Sequence, residues 1–304
     1  MPAEMEGDEL VAKARKAHTK NLFNWTADWA SALLYYEQAA NAYKKDAGAS
    51  CQTKAVEALR QASKAAEELS NANAAAKHLS AAAAITLKLG DKNTAVALMK
   101  DAGKLYQENT QARKAAEELT KAAGWIRDEN PDQAYALYSD ACDIYETEGQ
   151  TQMAQDLYRT ALAFLIRENR LSDAIKLLTK QNKGLFKHIG SFSEAFNKNC
   201  LNVCVLHLSC RETQEAAIKL TEFQSAPSNF LNSNEGTCAQ ALVSAFQECD
   251  PEALTKAKSD RTLNYVDNQI ARLARDLTID DSAREAAKTM GAAAASGGDE
   301  IDLT

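Results

Sequence analysis

Asp101-Ala-Gly-Lys-Leu-Tyr106 returns 39 residues later as Asp140-Ala-Cys-Asp-Ile-Tyr145, and this pair of phrases decides the fold. Around both, alanine and apolar positions recur at i, i+3, i+4 and i+7, the spacing of one helical face. Working outward, Ala123-Gly-Trp-Ile-Arg127 is echoed 40 residues on by Ala163-Phe-Leu-Ile-Arg167, and Ala84-Ile-Thr-Leu-Lys88 stands 39 before the first of them. Ala95, Ala134 and Ala174 mark the starts of alternate helices at the same interval. A unit of about 40 residues holding two helices is the mark of an α-solenoid, close to the tetratricopeptide type but longer than its period of about 34.

The helical spacing covers 32–43, 55–69, 95–106, 115–126, 134–145, 154–166 and 174–185. Short polar breaks separate the segments, among them Gly90-Asp-Lys-Asn, Asn130-Pro-Asp and Asn169-Arg. Breaks this short join antiparallel neighbours, so the segments read as helical hairpins laid side by side. Small alanine side chains at the crossings let neighbouring helices approach closely.

Composition agrees. The 304 residues include 58 alanines but only 12 glycines and 4 prolines, too little punctuation for sheets and hairpins. With 35 Lys+Arg against 42 Asp+Glu the chain carries a formal −7, which disfavours a nucleic-acid binder working through a general basic surface. The seven cysteines are scattered and form no C-x-x-C; Cys200 and Cys204 share a helix face but lack two further ligands, so no metal is expected. Free, mostly buried thiols point to a reducing compartment. Met1-Pro-Ala-Glu-Met-Glu reads as no signal peptide and no 18-residue apolar run occurs, so a cytoplasmic protein is expected.

After about residue 191 the repeat blurs into helices over 196–208, 212–223, 238–248, 251–258 and 263–277, a bundle suited to sealing the last apolar face of a solenoid. The expected organisation is therefore a twisted sheet of hairpins over 1–190, a helical bundle over 191–290 and a flexible acidic tail over 291–304. No phosphate-loop, dinucleotide, zinc-protease or nucleophile-elbow motif occurs, and adjacent acids such as Glu117-Glu118 make a poor acid/base pair. No catalytic residue, cofactor or small-molecule substrate is expected.

Two features stand out against this background. Asn21-Leu-Phe-Asn-Trp25, with Trp29 close behind, puts large apolar side chains in a connection, where they either dock into the neighbouring core or insert among lipid headgroups. The chain ends Gly298-Asp-Glu-Ile-Asp-Leu-Thr304, with acids flanking single apolar residues.

Taken in order, the alanine-rich helices, the early apolar loop, the bundle-like last third and the acidic tail with a penultimate leucine resemble the soluble NSF attachment proteins (SNAPs). Asn21-Leu-Phe-Asn-Trp25 and Leu263-Asn-Tyr-Val-Asp-Asn-Gln-Ile-Ala-Arg-Leu look like the gamma type. The resemblance implies an all-α fold: a right-handed α-solenoid of tetratricopeptide-like hairpins, about fourteen helices in all, ending in a C-terminal helical bundle. It also implies a non-enzymatic adaptor that grips the syntaxin-type four-helix SNARE complex and recruits the NSF ATPase for its disassembly, with weak, peripheral membrane contact. Residue by residue it carries over Leu22, Phe23 and Trp25 as the membrane-contact loop, and Asp299, Glu300, Asp302 and Leu303 as the ATPase-contacting end. Where the alpha type has groove lysines, this chain has Glu117 and Asp156, which again favours the gamma type.

Lys88, Arg127 and Arg167 recur at the repeat spacing. They form either a basic row facing an acidic SNARE surface or a set of helix-end cations relieving the macrodipole, the second being the simpler reading. The competing functional reading is a helical-repeat scaffold subunit of another cytosolic complex of lid or coat type.

Overall fold

The computed structural model describes residues 3–19 and 27–279. They form fourteen α-helices and three 3-10 turns, with no strand among the described residues. Packing divides the chain into two compact units, Met1–Gln150 and Thr151–Thr304.

The first unit holds α1 (Ala3–His18), α2 (Trp29–Lys44), α3 (Ala49–Glu68), α4 (Ala72–Lys88), α5 (Lys92–Glu108), α6 (Ala112–Ile126) and α7 (Pro131–Thr147). Each helix packs on the next in chain order, as side-by-side hairpins require. The phrases that announced the repeat supply the packed faces. Ala102 and Tyr106 of α5 and Ala141 and Tyr145 of α7 are buried, as are Ala95 and Ala134, about two turns before Ala102 and Ala141. Alanine offers little area at about 25 cal/mol per Å², so it contributes proximity, while Leu, Ile and Tyr neighbours supply most of the burial.

The turns are tighter than the polar breaks foretold. Ser70, Gly90, Thr110 and Gly149 all take positive φ, at 56°, 91°, 54° and 65°, one residue past the C-caps that end their helices. The next residue then donates its N–H to a carbonyl five positions back: Asn71 to Ala66 at 2.8 Å, Gln111 to Tyr106 at 2.8 Å and Gln150 to Tyr145 at 2.8 Å. This Schellman-type closure satisfies helix-end carbonyls. The residue making that bond also begins the following helix. Asn71 and Asp91 accept N–H bonds from Ala74 and Thr94 with their side chains, at 3.1 and 3.0 Å. One left-handed residue and one cap thus suffice to reverse the chain, which explains antiparallel neighbours without loops. At Asn130 the cap precedes Pro131 at the first helical position, where a missing N–H costs nothing.

The second unit holds α8 (Gln155–Arg167), α9 (Leu171–Phe186), α10 (Ile189–Ser209), α11 (Thr213–Gln224), α12 (Asn234–Gln247), α13 (Pro251–Lys258) and α14 (Asn268–Asp276). The helix α10 is its axis, packed by α9, α11, α12 and α14. Its side chains from Cys200 through Leu206 are all buried, which is why this run, Asn202 apart, is apolar all round rather than on one stripe. Packing divides the chain after Gln150, because α8 and α9 lie against each other and against α14 and α10. The helix expected over 263–277 starts only at Asn268. Asp267 caps it, accepting the Gln269 N–H at 2.9 Å, and residues Arg261–Asn264 form a 3-10 turn instead.

Candidate partner surfaces

At the α1/α2 corner the chain is fastened on both sides of residues 20–26. Asp28 donates its N–H to the Ala17 carbonyl at 3.0 Å and caps α2 through the Ser31 N–H at 2.9 Å. The His18 ring stacks on Trp29 at 5.0 Å between centroids and 4° between planes, and its Nε2 lies 3.1 Å from the Tyr36 hydroxyl. Trp29 packs partly buried against the cluster of Ala14, Ala32, Tyr36 and Ala62. Of the two readings of the aromatic connection, core docking is thus the outcome for Trp29. Leu22, Phe23 and Trp25 lie outside the described residues.

The other face of α1 is held to α2 and α3. A Cβ added at Gly7 would fall within 3 Å of three carbons of the Tyr43 ring, so glycine here is what lets α1 seat on α2. Tyr43 donates its hydroxyl to Asp8 at 2.7 Å, and Lys54 donates to both Asp8 oxygens at 2.8 and 3.0 Å and pairs with Glu4 at 2.9 Å. The hydrogen bonds from Lys54 and then Tyr43 hold the Asp8 carboxyl below the usual carboxylate range. Burial, reinforced by the Asp8 bond, pushes the Tyr43 phenol up.

The recurring cations occupy helix ends. Lys88 is the last residue of α4 and exposed; Arg127 caps the C-terminus of α6, with its Nε 3.6 Å from Asp128. In the second unit Arg167 ends α8, pairs with Glu168 at 3.3 Å and lies 5.9 Å from the Phe164 ring centre. Within the first unit, α4 and α6 run parallel with α5 between them, so Lys88 and Arg127 emerge at corresponding ends. The two acids at the expected groove positions carry arginine partners on their own helices. Glu117 pairs with Arg113 at 2.9 Å and Asp156 with Arg159 at 2.8 Å. Asp299, Glu300, Asp302 and Leu303 lie outside the described residues.

All seven cysteines are free and five of them are buried. Burial pushes the Cys204 and Cys238 thiols up to about 12, so neither is a thiolate near neutrality. No group of three His, Cys, Asp or Glu among the described residues is placed to hold a metal ion, and no described helix is long and apolar enough to cross a membrane.

Sequence reading missed two elements. Ser70 and Thr110 are not glycines, so nothing in composition marked them as left-handed. The buried carboxamides Gln181, Asn182, Asn197, Asn199 and Asn202 also went unremarked. Their signal was polar side chains breaking an otherwise apolar run.

Helical hairpins stacked through alanine faces, with charged helix ends, define a helical-repeat protein. Residues 5–261 match the family described as "Soluble NSF attachment protein, SNAP". The chain belongs to that family. It is 35% identical to the gamma-soluble NSF attachment protein of Arabidopsis thaliana over 277 residues, 90% of this chain and 92% of that one. It is 29% identical to the protein of the same name from Dictyostelium discoideum over 276 residues, 91% and 83% of the two chains. Among solved structures, BtubC from P. vanneervenii is similar at 14% identity and a TM-score of 0.36, over 77% of this chain and 94% of that one, a level too low to speak for the fold.

Proposed function

We propose that this chain is a non-enzymatic adaptor that binds SNARE complexes and brings the NSF ATPase to them, so that hydrolysis drives their disassembly. The observation that carries the reading is the family match over residues 5–261 of an all-helical hairpin array. A repeat of this kind displays continuous faces, and each face suits an elongated helical partner better than a small substrate.

In this reading Leu22, Phe23 and Trp25 touch the membrane. The described residues on either side, His18 and Trp29, stack on one another. Together Leu22, Phe23 and Trp25 bury on the order of 300–400 Å², worth several kcal/mol at about 25 cal/mol per Å² before ordering costs, which suits reversible contact. Asp299, Glu300 and Asp302 steer the chain end to a basic surface of the ATPase, and Leu303 couples docking to stimulated hydrolysis. The adaptor is cytoplasmic and peripheral.

The test is capture of NSF by the immobilised chain with and without a SNARE complex, followed by disassembly assays. SNARE-dependent capture is expected. Leu303→Ala should preserve capture and lower disassembly, while Ser at 22, 23 and 25 should lower activity only on liposome-anchored SNAREs. Failure to bind either partner would return the chain to the general class of helical-repeat scaffolds.

A further inference from the structure

The last described residue, Ile279, stands at a pocket of the second unit. Leu277 is buried, and its carbonyl accepts from the Lys258 ammonium at 2.8 Å; the Thr278 carbonyl accepts from the Arg211 guanidinium at 3.1 Å. These two bonds deliver the chain that leaves α14 to the turn between α10 and α11. There Ile279, half-buried, lines a cavity of about 490 Å³ together with Arg211, Thr213, Gln214, Phe246 and Cys249. Phe246, Cys249 and Ile279 supply its apolar lining and Arg211 its positive charge.

The sequence continues Asp280-Asp-Ser-Ala-Arg-Glu-Ala-Ala-Lys-Thr-Met290-Gly291, outside the described residues. Ser282 and Glu285 stand three apart as a capping box, in which each side chain bonds the other's backbone N–H. Gly291 follows where a helix end favours a left-handed residue. These signals predict a helix over 283–290. At 3.6 residues per turn, Ala283, Ala286, Ala287 and Met290 fall within about 100° of arc, and Arg284, Glu285, Lys288 and Thr289 take the remainder. A helix this short is marginal in water on its own, so its apolar stripe needs a cover.

We propose that residues 283–290 dock as a helix on this pocket, with the Ala/Met stripe against Phe246, Cys249 and Ile279. The four steps from Ile279 to Ala283 span at most about 14 Å, so the helix has to begin beside the cavity. Asp280 and Asp281 come first, and their charge suits the rim at Arg211. Unbranched methionine adapts to an irregular cavity. The tether makes the contact intramolecular, at an effective concentration of order millimolar, so a weak dock suffices. A second copy or a separate protein would have to displace a segment already held there. The free tail then begins at Gly291. In the adaptor reading, on which this consequence alone rests, the chain end swings on 13 residues (292–304) rather than 25 (280–304). Its reach shortens from roughly 28 Å to roughly 20 Å.

The test is alkylation of Cys249 by iodoacetamide in the full chain, followed by mass spectrometry, beside hydrogen exchange over 283–290. The unsubstituted chain should show protected amides there. Met290→Glu should speed Cys249 alkylation about tenfold and abolish that protection, because a charge on the stripe opens the dock. Ala286→Glu, on the same stripe, should act alike. Lys288→Gln, on the opposite face, should change neither reading. Peptide-like exchange over 283–290 in the unsubstituted chain, or Cys249 rates equal in it and in both glutamate variants, would overturn the dock. Protection of Cys249 that rises with protein concentration would assign the pocket to a second copy and overturn it as well. No SNARE or NSF protein enters the assay, so these outcomes are separate from those of the capture test.

Discussion

Gly7→Ala should undock α1 while leaving the rest of the first unit folded. The new Cβ would sit less than 3 Å from three carbons of the Tyr43 ring, a distance at which something must shift. Tyr43 is 2% exposed and tied through its hydroxyl to Asp8, so its ring has nowhere open to go. Overpacking of this kind costs about 1–3 kcal/mol. Alanine gains back up to about 1 kcal/mol over glycine in helix propensity. The expected net loss is roughly 1–2 kcal/mol, which multiplies an open population by about 5–30. Because α1 is the first helix of a repeat array and packs on α2, that loss should appear as local opening. Hydrogen exchange followed by mass spectrometry is the assay: amides of α1 should exchange 5–30 times faster, with those of α4 to α6 unchanged. Tyr43→Leu added to Gly7→Ala should restore part of the protection by making room, whereas Tyr43→Phe, which keeps the ring, should restore none. Slower or unchanged exchange in α1 of the single variant would refute the reasoning.

The Asp8 site gives a pH dependence of known sign. Its folded carboxyl titrates below the unfolded value, so its contribution is present above the ordinary carboxylate pKa and fades as pH falls toward the folded one. Protection of α1 should thus decline below about pH 4, and Asp8→Asn should flatten that decline. Thr110→Gly should raise stability by roughly 0.5–1 kcal/mol in urea denaturation, because a β-branched residue at φ 54° is strained where glycine is not; a lower midpoint would contradict this. Charge reversal at Lys88, Arg127 and Arg167 together should weaken SNARE binding and its salt dependence if the three face the partner. Unchanged affinity would leave them as helix-end cations.

The sequence by itself determined the class of structure and the faces that pack. Alanine and tyrosine at fixed helical spacing, returning every 39 or 40 residues, already specify which side of α5 and α7 is inside, because helix periodicity is a local property of the chain. The free, mostly buried thiols were legible too, because the cysteines fall at apolar positions of helical segments. Tertiary structure decided the rest. Ser70 and Thr110 take left-handed conformations because the next helix pulls the chain back, a demand made by packing and written in no side chain. Asp267 stopped a helix that periodicity would have continued, since a capping carboxylate competes with one more helical turn. Gly7 reads as a weak helix former until Tyr43, 36 residues away, is seen lying where its side chain would be. The buried carboxamides needed both reasons at once. Gln181, Asn199 and Asn202 were visible as polar letters, but their convergence depends on α9 folding back on α10, which no single-helix pattern encodes.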